Sequence, residues 1–215
     1  KRLLLKLENK GNANFFTNGE GHFMKQVVNY YSQKKEPIIV FDVGANIGTY
    51  SELFSTYAQQ VALPFTIHLF EPVHSSFIEL SKKFKDGSRK NIICNEYGLS
   101  DSETEAKMYY DNEKSSLASL YKRNLAVYNI SMDKTETIML MRADAYIESA
   151  SIKKIHLMKI DVEGHELEVL RGLGKYLQSD FIECIQFEYG GCNIDSQTTL
   201  FDLYKILKDA GFTIC

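Results

Sequence analysis

Residues 38–50 read IIVFDVGANIGTY. Four apolar residues, Ile38, Ile39, Val40 and Phe41, run straight into Asp42. A β-branched and aromatic run with no polar alternation predicts a strand buried on both faces. Gly44, Ala45, Asn46 and Gly48 follow, and residues 50–60 can be helical. Strand, glycine turn and helix form the layout of a ligand loop at the carboxyl edge of a parallel sheet. Gly44 is expected to let the chain turn sharply and a ligand approach with no Cβ in the way. The helix start near Gly48 is expected to offer free N–H groups. Asp42, at the strand end, is expected to reach a cationic or hydroxyl group of that ligand. The turn lacks the G-x-G-x-x-G dinucleotide fingerprint. A carboxylate beside it gains nothing from a pyrophosphate and suits an ammonium group, which favours an amino-acid nucleoside. The bland alternative is a tight turn with no ligand.

The chain of 215 residues is long enough for one domain with a full core and an insertion. Hydrophobic content of 44% and charged content of 25% are ordinary for a globular chain. A net charge of −3 argues against a nucleic-acid partner. The four cysteines (Cys94, Cys184, Cys192, Cys215) show no zinc spacing. Cys94 and Cys184 lie in apolar runs and read as buried thiols, which fits a reducing, cytoplasmic location. No apolar run approaches the ~20 residues that span a bilayer. The apolar start is too short for a signal peptide, and the absence of a Met at position 1 leaves room for a native N-terminus further upstream.

Residues 1–18 read as a short strand or loop, and residues 21–33 as a helix with Phe23, Val27, Tyr30 and Tyr31 at helical spacing. Together, residues 1–36 form an N-terminal cap. Phe65–Phe70 is a second strand ending in Glu71, which lies 23 residues after Gly48. A carboxylate there can accept from both ribose hydroxyls of a nucleoside. Alternatively Glu71 only caps the helix expected over residues 75–84. A third strand is expected from 91 to 99, with Ser100 and Asp101 at its end. Asp101 can accept from an adenine amino group, or simply serve the Ser-Asp-Ser turn. Residues 103–150 interrupt the alternation, with strands expected at 106–110 and 137–142 around a polar stretch. This reads as an inserted hairpin, either a lid over the ligand edge or decoration.

The second informative stretch is IHLMKIDVEGHELEVLRG, residues 155–172. Residues 155–160 form a strand with Lys159 inward, Gly164 turns the chain, and a helix follows. Asp161, Glu163, His165 and Glu166 crowd the strand end, which shifts pKa values and suits general-base chemistry. Val169 stands where H-E-x-x-H needs its second histidine, so a zincin is excluded. Glu163 and Glu166 can also be first-turn acids favoured by the helix dipole. Residues 181–187 form the next strand, placing Glu188 beside Asp161. Two such carboxylates can share a proton, hold a divalent ion, or divide into base and orienter. Residues 199–210 are a helix, and 212–215 begin a strand that the sequence cuts off.

DVGANIGTYS, FEP, GLSD, KIDVEGHELEVLRG and IQFEYG, in that order and spacing, resemble the FkbM family of S-adenosylmethionine-dependent methyltransferases. The likeness spans about residues 18–212, and KIDVEGHE paired with DVGANIG is its specific part. It implies an α/β fold of the Rossmann-like class I methyltransferase type: a mostly parallel central sheet flanked by helices, here with the inserted hairpin and a possible missing last strand. It also implies O-methylation of a hydroxyl on a sugar, glycan or natural product. Under that resemblance Asp42, Gly44, Ala45, Asn46 and Gly48 line the methionine end of S-adenosylmethionine. Glu71 takes the ribose, Ser100 and Asp101 the adenine side, and Asp161 borders the cofactor. Asp161, Glu163, His165 and Glu188 face the acceptor.

The expected chemistry is in-line displacement, with the acceptor oxygen about 3–3.5 Å from an already activated methyl. A hydroxyl needs a base, and His165 or Glu163 is the candidate. No metal ligand is assigned, although a divalent ion at Asp161 and Glu188 is conceivable. The rival readings are a nicotinamide oxidoreductase, which the missing third glycine disfavours, and a non-catalytic S-adenosyl-ligand-binding or scaffold domain.

Overall fold

The computed structural model describes residues 17–84, 90–112, 115 and 117–214. The expectation for residues 1–18 therefore falls almost wholly outside the described residues. The central strand β1 (Ile38–Val43) pairs in parallel with β2 (Phe65–Phe70) on one side and β7 (Leu157–Ile160) on the other. β3 (Ile92–Asn95) extends the sheet beyond β2, and β8 (Ile185–Phe187) extends it beyond β7. The order β3-β2-β1-β7-β8 is wholly parallel, so helices must cover both faces.

Strand parity sorts the side chains into two layers. Ile38 and Val40 pack with Met24 and Val28 of α1 (Glu20–Lys34), Phe54 of α2 (Thr49–Gln60) and Leu80 of α3 (His74–Phe84). Phe41 and Val43 point the other way. They meet Tyr146 and Ile147 of α4 (Ala143–Ser149), Val169 and Leu170 of α5 (Glu166–Gly172), and Leu203 and Leu207 of α7 (Leu200–Asp209). Phe41, Phe54 and Phe70 are fully buried, each stabilising the fold by roughly 1.5–3 kcal/mol. The same parity puts Asp42 and Lys159 on the α1–α2 face, directly beneath the loops at the strand ends.

A second sheet stands at the carboxyl edge of the first. β5 (Thr104–Tyr110) and β6 (Lys134–Arg142) form the inserted antiparallel pair, and β4 (Gly98–Ser100) lies parallel to β6. Val73, Met108, Ile138 and Leu140 give this sheet its own small core. It is pinned to the main layer at Gly172, where a Cβ would stand 1.8 Å from the carbonyl oxygen of Ser100.

Several expectations are corrected. The single strand expected over 91–99 breaks at Glu96 and Tyr97 and divides between the two sheets. Asn95 ends the first piece by donating from Nδ2 to the Leu69 carbonyl at 2.9 Å, while Tyr97 turns in against Phe70. The run 181–187 forms ladder only from Ile185, with an isolated bridge at Ile182. Residues 212–214 form no strand; Phe212 instead bonds back from its N–H to the Leu207 carbonyl. Cys94 and Cys184 are half-buried, and the buried thiol is Cys192. The helix α4 within 103–150 was not expected. No helix among the described residues is long and apolar enough to cross a membrane.

Candidate active site

A cleft of about 730 Å³, counting its open mouth, lies between the two sheets. Its floor is the turn after β1 (Gly44, Asn46) and the turn after β7 (Asp161, Val162, Glu163, His165). Glu71 and Pro72 close one end, Gly98 and Leu99 form the inner wall, and Met108, Ala118, Leu120, Ile138 and Leu140 of the insertion form the outer one. The site therefore sits where the crossovers leave β1 in opposite directions, the crevice at which open parallel sheets bind ligands.

The β1 turn is tightly made. The N–H groups of Gly44 and Ala45 both donate to the Phe70 carbonyl at 3.0 Å, and that of Gly48 donates to the Ala45 carbonyl at 2.8 Å. Gly44 has φ +80°, and a Cβ there would lie 1.8 Å from the Asp161 carbonyl oxygen. The glycine is thus required by its positive φ, as the sharp turn predicted, and by the neighbouring backbone. Gly48 has φ +79°, and its missing Cβ leaves room for Leu80 and Phe84, so it seats α2 on α3. Its own N–H is taken by the Ala45 carbonyl. Asp42 is fully buried beneath the turn. It accepts from Ser51 Oγ at 2.6 Å and stands 3.7 Å from Lys159 Nζ. Its expected cationic and hydroxyl partners are thus supplied by the protein itself. Asn46 has φ +48°, and its Oδ1 is shielded from solvent with no hydrogen-bond partner.

Glu71 accepts from the N–H of Asn46 and from that of Val73, each at 2.8 Å. Burial pushes its carboxyl up to about 7, against the pull of those two N–H groups. Each oxygen keeps a further lone pair for a hydroxyl donor. Ser100 is buried and meets His165 Nε2 at 2.9 Å. The Asp101 carboxylate accepts from Ser100 and Ser102, both at 3.3 Å, and the wall beside the cleft is made by Gly98 and Leu99.

The acids gather as their spacing predicted. Oxygens of Asp161, Glu163 and Glu188 lie within 4.8 Å of one another. Burial works to raise Asp161, but the Lys159 ammonium, 3.0 Å away, overrides it and holds the carboxyl below its ordinary value. Glu188 is exposed at its outer side but shares a hydrogen bond with Asp161; partial burial of its carboxyl, and then the Asp161 charge, push it up to about 8. Glu163 rises to about 7 through burial and the same charge, opposed by Arg123, which donates to it at 2.7 Å. Two of the three carboxylates therefore already face a protein cation, a poor donor set for a divalent ion. His165 is held on both nitrogens, by Ser100 and by Tyr121 Oη at 3.1 Å, and burial lowers it to about 4.

The sequence reading missed the insertion's share of this site. Ser119 Oγ donates to the Glu163 carbonyl at 2.7 Å, so Ser119, Tyr121 and Arg123 clasp the β7 turn at every second residue. No local motif announces these contacts.

The family model described as Methyltransferase FkbM domain matches residues 42–214. Hexuronic acid methyltransferase AglP of Haloferax volcanii is 31% identical over 178 residues, which cover 83% of this chain. This chain spans only 64% of the length of that relative. Methyltransferase 1 of Beauveria bassiana is 23% identical over 188 residues, covering 81% of this chain and 72% of that protein. Among solved structures, Methyltransferase FkbM from Methylobacillus flagellatus KT superposes with a TM-score of 0.54 at 16% identity, over 82% of this chain and 38% of the other. That likeness concerns the fold.

Proposed function

The chain belongs to the FkbM methyltransferase family, and from that premise we propose that it transfers a methyl group from S-adenosylmethionine to a hydroxyl of a sugar or glycan. The observation that carries the reading is one crevice lined by a ribose-type carboxylate, Glu71, and by Asp161 and Glu163 of the acid cluster, with Glu188 within 4.8 Å of those two acids but outside the lining. The residues fit the cofactor. Asn46 Oδ1, an orphaned acceptor at the cleft, suits an α-ammonium donor. Glu71 has lone pairs for two ribose hydroxyls, and Pro72, Val73 and Leu99 offer an apolar bed for a base. Bound there, S-adenosylmethionine would supply a sulfonium methyl that needs no covalent activation by the protein.

The protein's own task is to orient the acceptor and remove its proton. Glu188, with its carboxyl raised to about 8, is the base best matched to a hydroxyl near neutrality. Asp161, kept ionised by Lys159, orients it and stabilises the proton it gains. Glu163 is held by Arg123 at the side of the pair. His165, engaged on both nitrogens, braces the insertion against the turn rather than titrating. The haloarchaeal relative, named for a hexuronic acid, supports a carbohydrate acceptor here.

Calorimetric titration with S-adenosylmethionine, S-adenosylhomocysteine and NAD tests the cofactor, followed by methyl transfer to a panel of neutral hexoses and hexuronic acids. Both S-adenosyl ligands should bind and NAD should not. Asn46→Gly, which tolerates the positive φ but removes the acceptor, should weaken S-adenosyl binding about 10-fold or more. A folded protein that ignores both S-adenosyl ligands overturns the proposal.

A further inference from the structure

The acid cluster is carried by two loops that come from distant parts of the chain. Asp161 and Glu163 belong to the turn after β7, while Glu188 begins the segment between β8 and α6 (Cys192–Asp195). The loops touch backbone to backbone: a Cβ on Gly164 would lie 2.9 Å from the Cys192 carbonyl oxygen. Beneath that contact lie Glu166 and Asn193, both fully buried. Glu166 Oε1 accepts from the N–H groups of Val162 and Gly164, each at 3.2 Å. Its Oε2 accepts from Asn193 Nδ2 at 2.9 Å, and Asn193 Oδ1 accepts from the Gly190 N–H at 2.8 Å. The result is an unbroken run of hydrogen bonds from the turn that holds Asp161 and Glu163 to the segment that follows Glu188.

A first-turn acid serving only the helix dipole would sit at the surface, where charge costs little. A carboxylate at zero exposure costs several kcal/mol unless its oxygens are satisfied, and here they are satisfied across the seam between the loops. We propose that Glu166 and Asn193 are positioning residues for methyl transfer: their buried carboxylate–amide pair fixes the spacing between Glu188 and the turn bearing Asp161 and Glu163. This rests on the methyltransferase reading above. The groups that face Glu188 are Asp161 and Lys159 at the end of β7 and Glu163 in the turn, with Arg123 of the insertion behind Glu163. Loosening the pair lets the two loops part and relieves the crowding with Asp161 and Glu163 that makes Glu188 a base.

The test uses Glu166→Gln, Asn193→Asp and the two combined. Each single change spoils the match of donor to acceptor. In the double variant the amide and carboxylate exchange places, so the bond re-forms in reverse, and the carboxylate at position 193 still accepts from Gly190. Two readouts apply: kcat for transfer to whichever hexose the panel identifies, and ¹³C titration of the Glu188 carboxyl. Each single variant should keep its affinity for S-adenosylhomocysteine, lose about 10-fold or more in kcat, and show the Glu188 midpoint falling by about one pH unit or more. The double variant should restore both. A folded single variant with kcat and midpoint unchanged overturns the proposal. So does a double variant that recovers thermal stability but neither readout. If the wild-type protein methylates nothing, the functional reading fails, and the Glu188 midpoint alone still decides whether the tether holds the cluster together.

Discussion

The two ends of the crevice are built on opposite plans. At the β1–β2 end every acidic group is answered by the protein: Asp42 by Ser51 and Lys159, Glu71 by two backbone N–H groups. These partners lie within about 30 residues of one another, Lys159 excepted, so that end is largely formed by local chain geometry. At the β7–β8 end three carboxylates compete for one small volume, and their cations and braces come from the insertion and from β7. The first end has its carboxylates answered but leaves Asn46 Oδ1 without a partner, an arrangement suited to holding a ligand in a fixed pose. The second is frustrated, and the frustration stores proton affinity where the proposed reaction would need a base.

That contrast breaks most severely at Gly44, where the two ends touch. Gly44→Ala would drive a Cβ into the Asp161 carbonyl at a positive φ. Thermal or urea unfolding should show a loss of about 3 kcal/mol or more. A variant of unchanged stability would mean that the two ends are not in rigid contact.

Next in size is Glu188→Gln, which should lower kcat about 10²–10⁴-fold and leave S-adenosylhomocysteine affinity intact. A comparable loss in cofactor binding instead would erase the division between the ends.

The smallest effect is in pH. Glu71 and Glu163, each raised to about 7, and Glu188, raised to about 8, bind protons more tightly in the folded state. Their contribution to stability is complete below the ordinary glutamate range and is lost as pH rises through these values. His68 and His165, lowered to about 4, work the other way, but only up to their ordinary value of 6.5. Between pH 6.5 and 8 the carboxylates act in the same direction as His74, which its hydrogen bond to Glu96 raises above its ordinary value, so the melting temperature should fall across that window at constant ionic strength. In Glu188→Gln the upper part of the fall should flatten. The rate of methyl transfer should rise over the same interval as Glu188 loses its proton.

The sequence made the parallel layers legible because buried strands leave unbroken apolar runs. β2 is found at its expected bounds, and β1 begins where Ile38 follows Pro37. The acid cluster was also readable, since Asp161 and Glu188 each end a strand. Asn95 and Tyr97, by contrast, look like a continuation of β3, and only the partners they find in Leu69 and Phe70 turn the chain between sheets. Arg123 was invisible because its role depends on a loop folding back 40 residues onto Glu163. His165 reads as a base by its ordinary pKa, whereas its burial between Ser100 and Tyr121 lowers it to about 4, which the sequence does not show. Glu166 read as a helix-start acid because its true partner, Asn193, is 27 residues away.

The pairing of β1 with β7 also orders events in time. Asp42 lies opposite Lys159 across a chain separation of more than 100 residues, and closing so long a loop is among the slow steps of assembly. The crevice is the product of that closure, so a nascent or partly unfolded chain has nowhere to put a nucleoside. Any ligand of the crevice therefore selects the completed sheet by mass action, worth about 2.7 kcal/mol at a hundred times its Kd. Under the proposed function, the supply of S-adenosylmethionine in its surroundings would be a determinant of how much folded chain accumulates, apart from any effect on the rate at which it works.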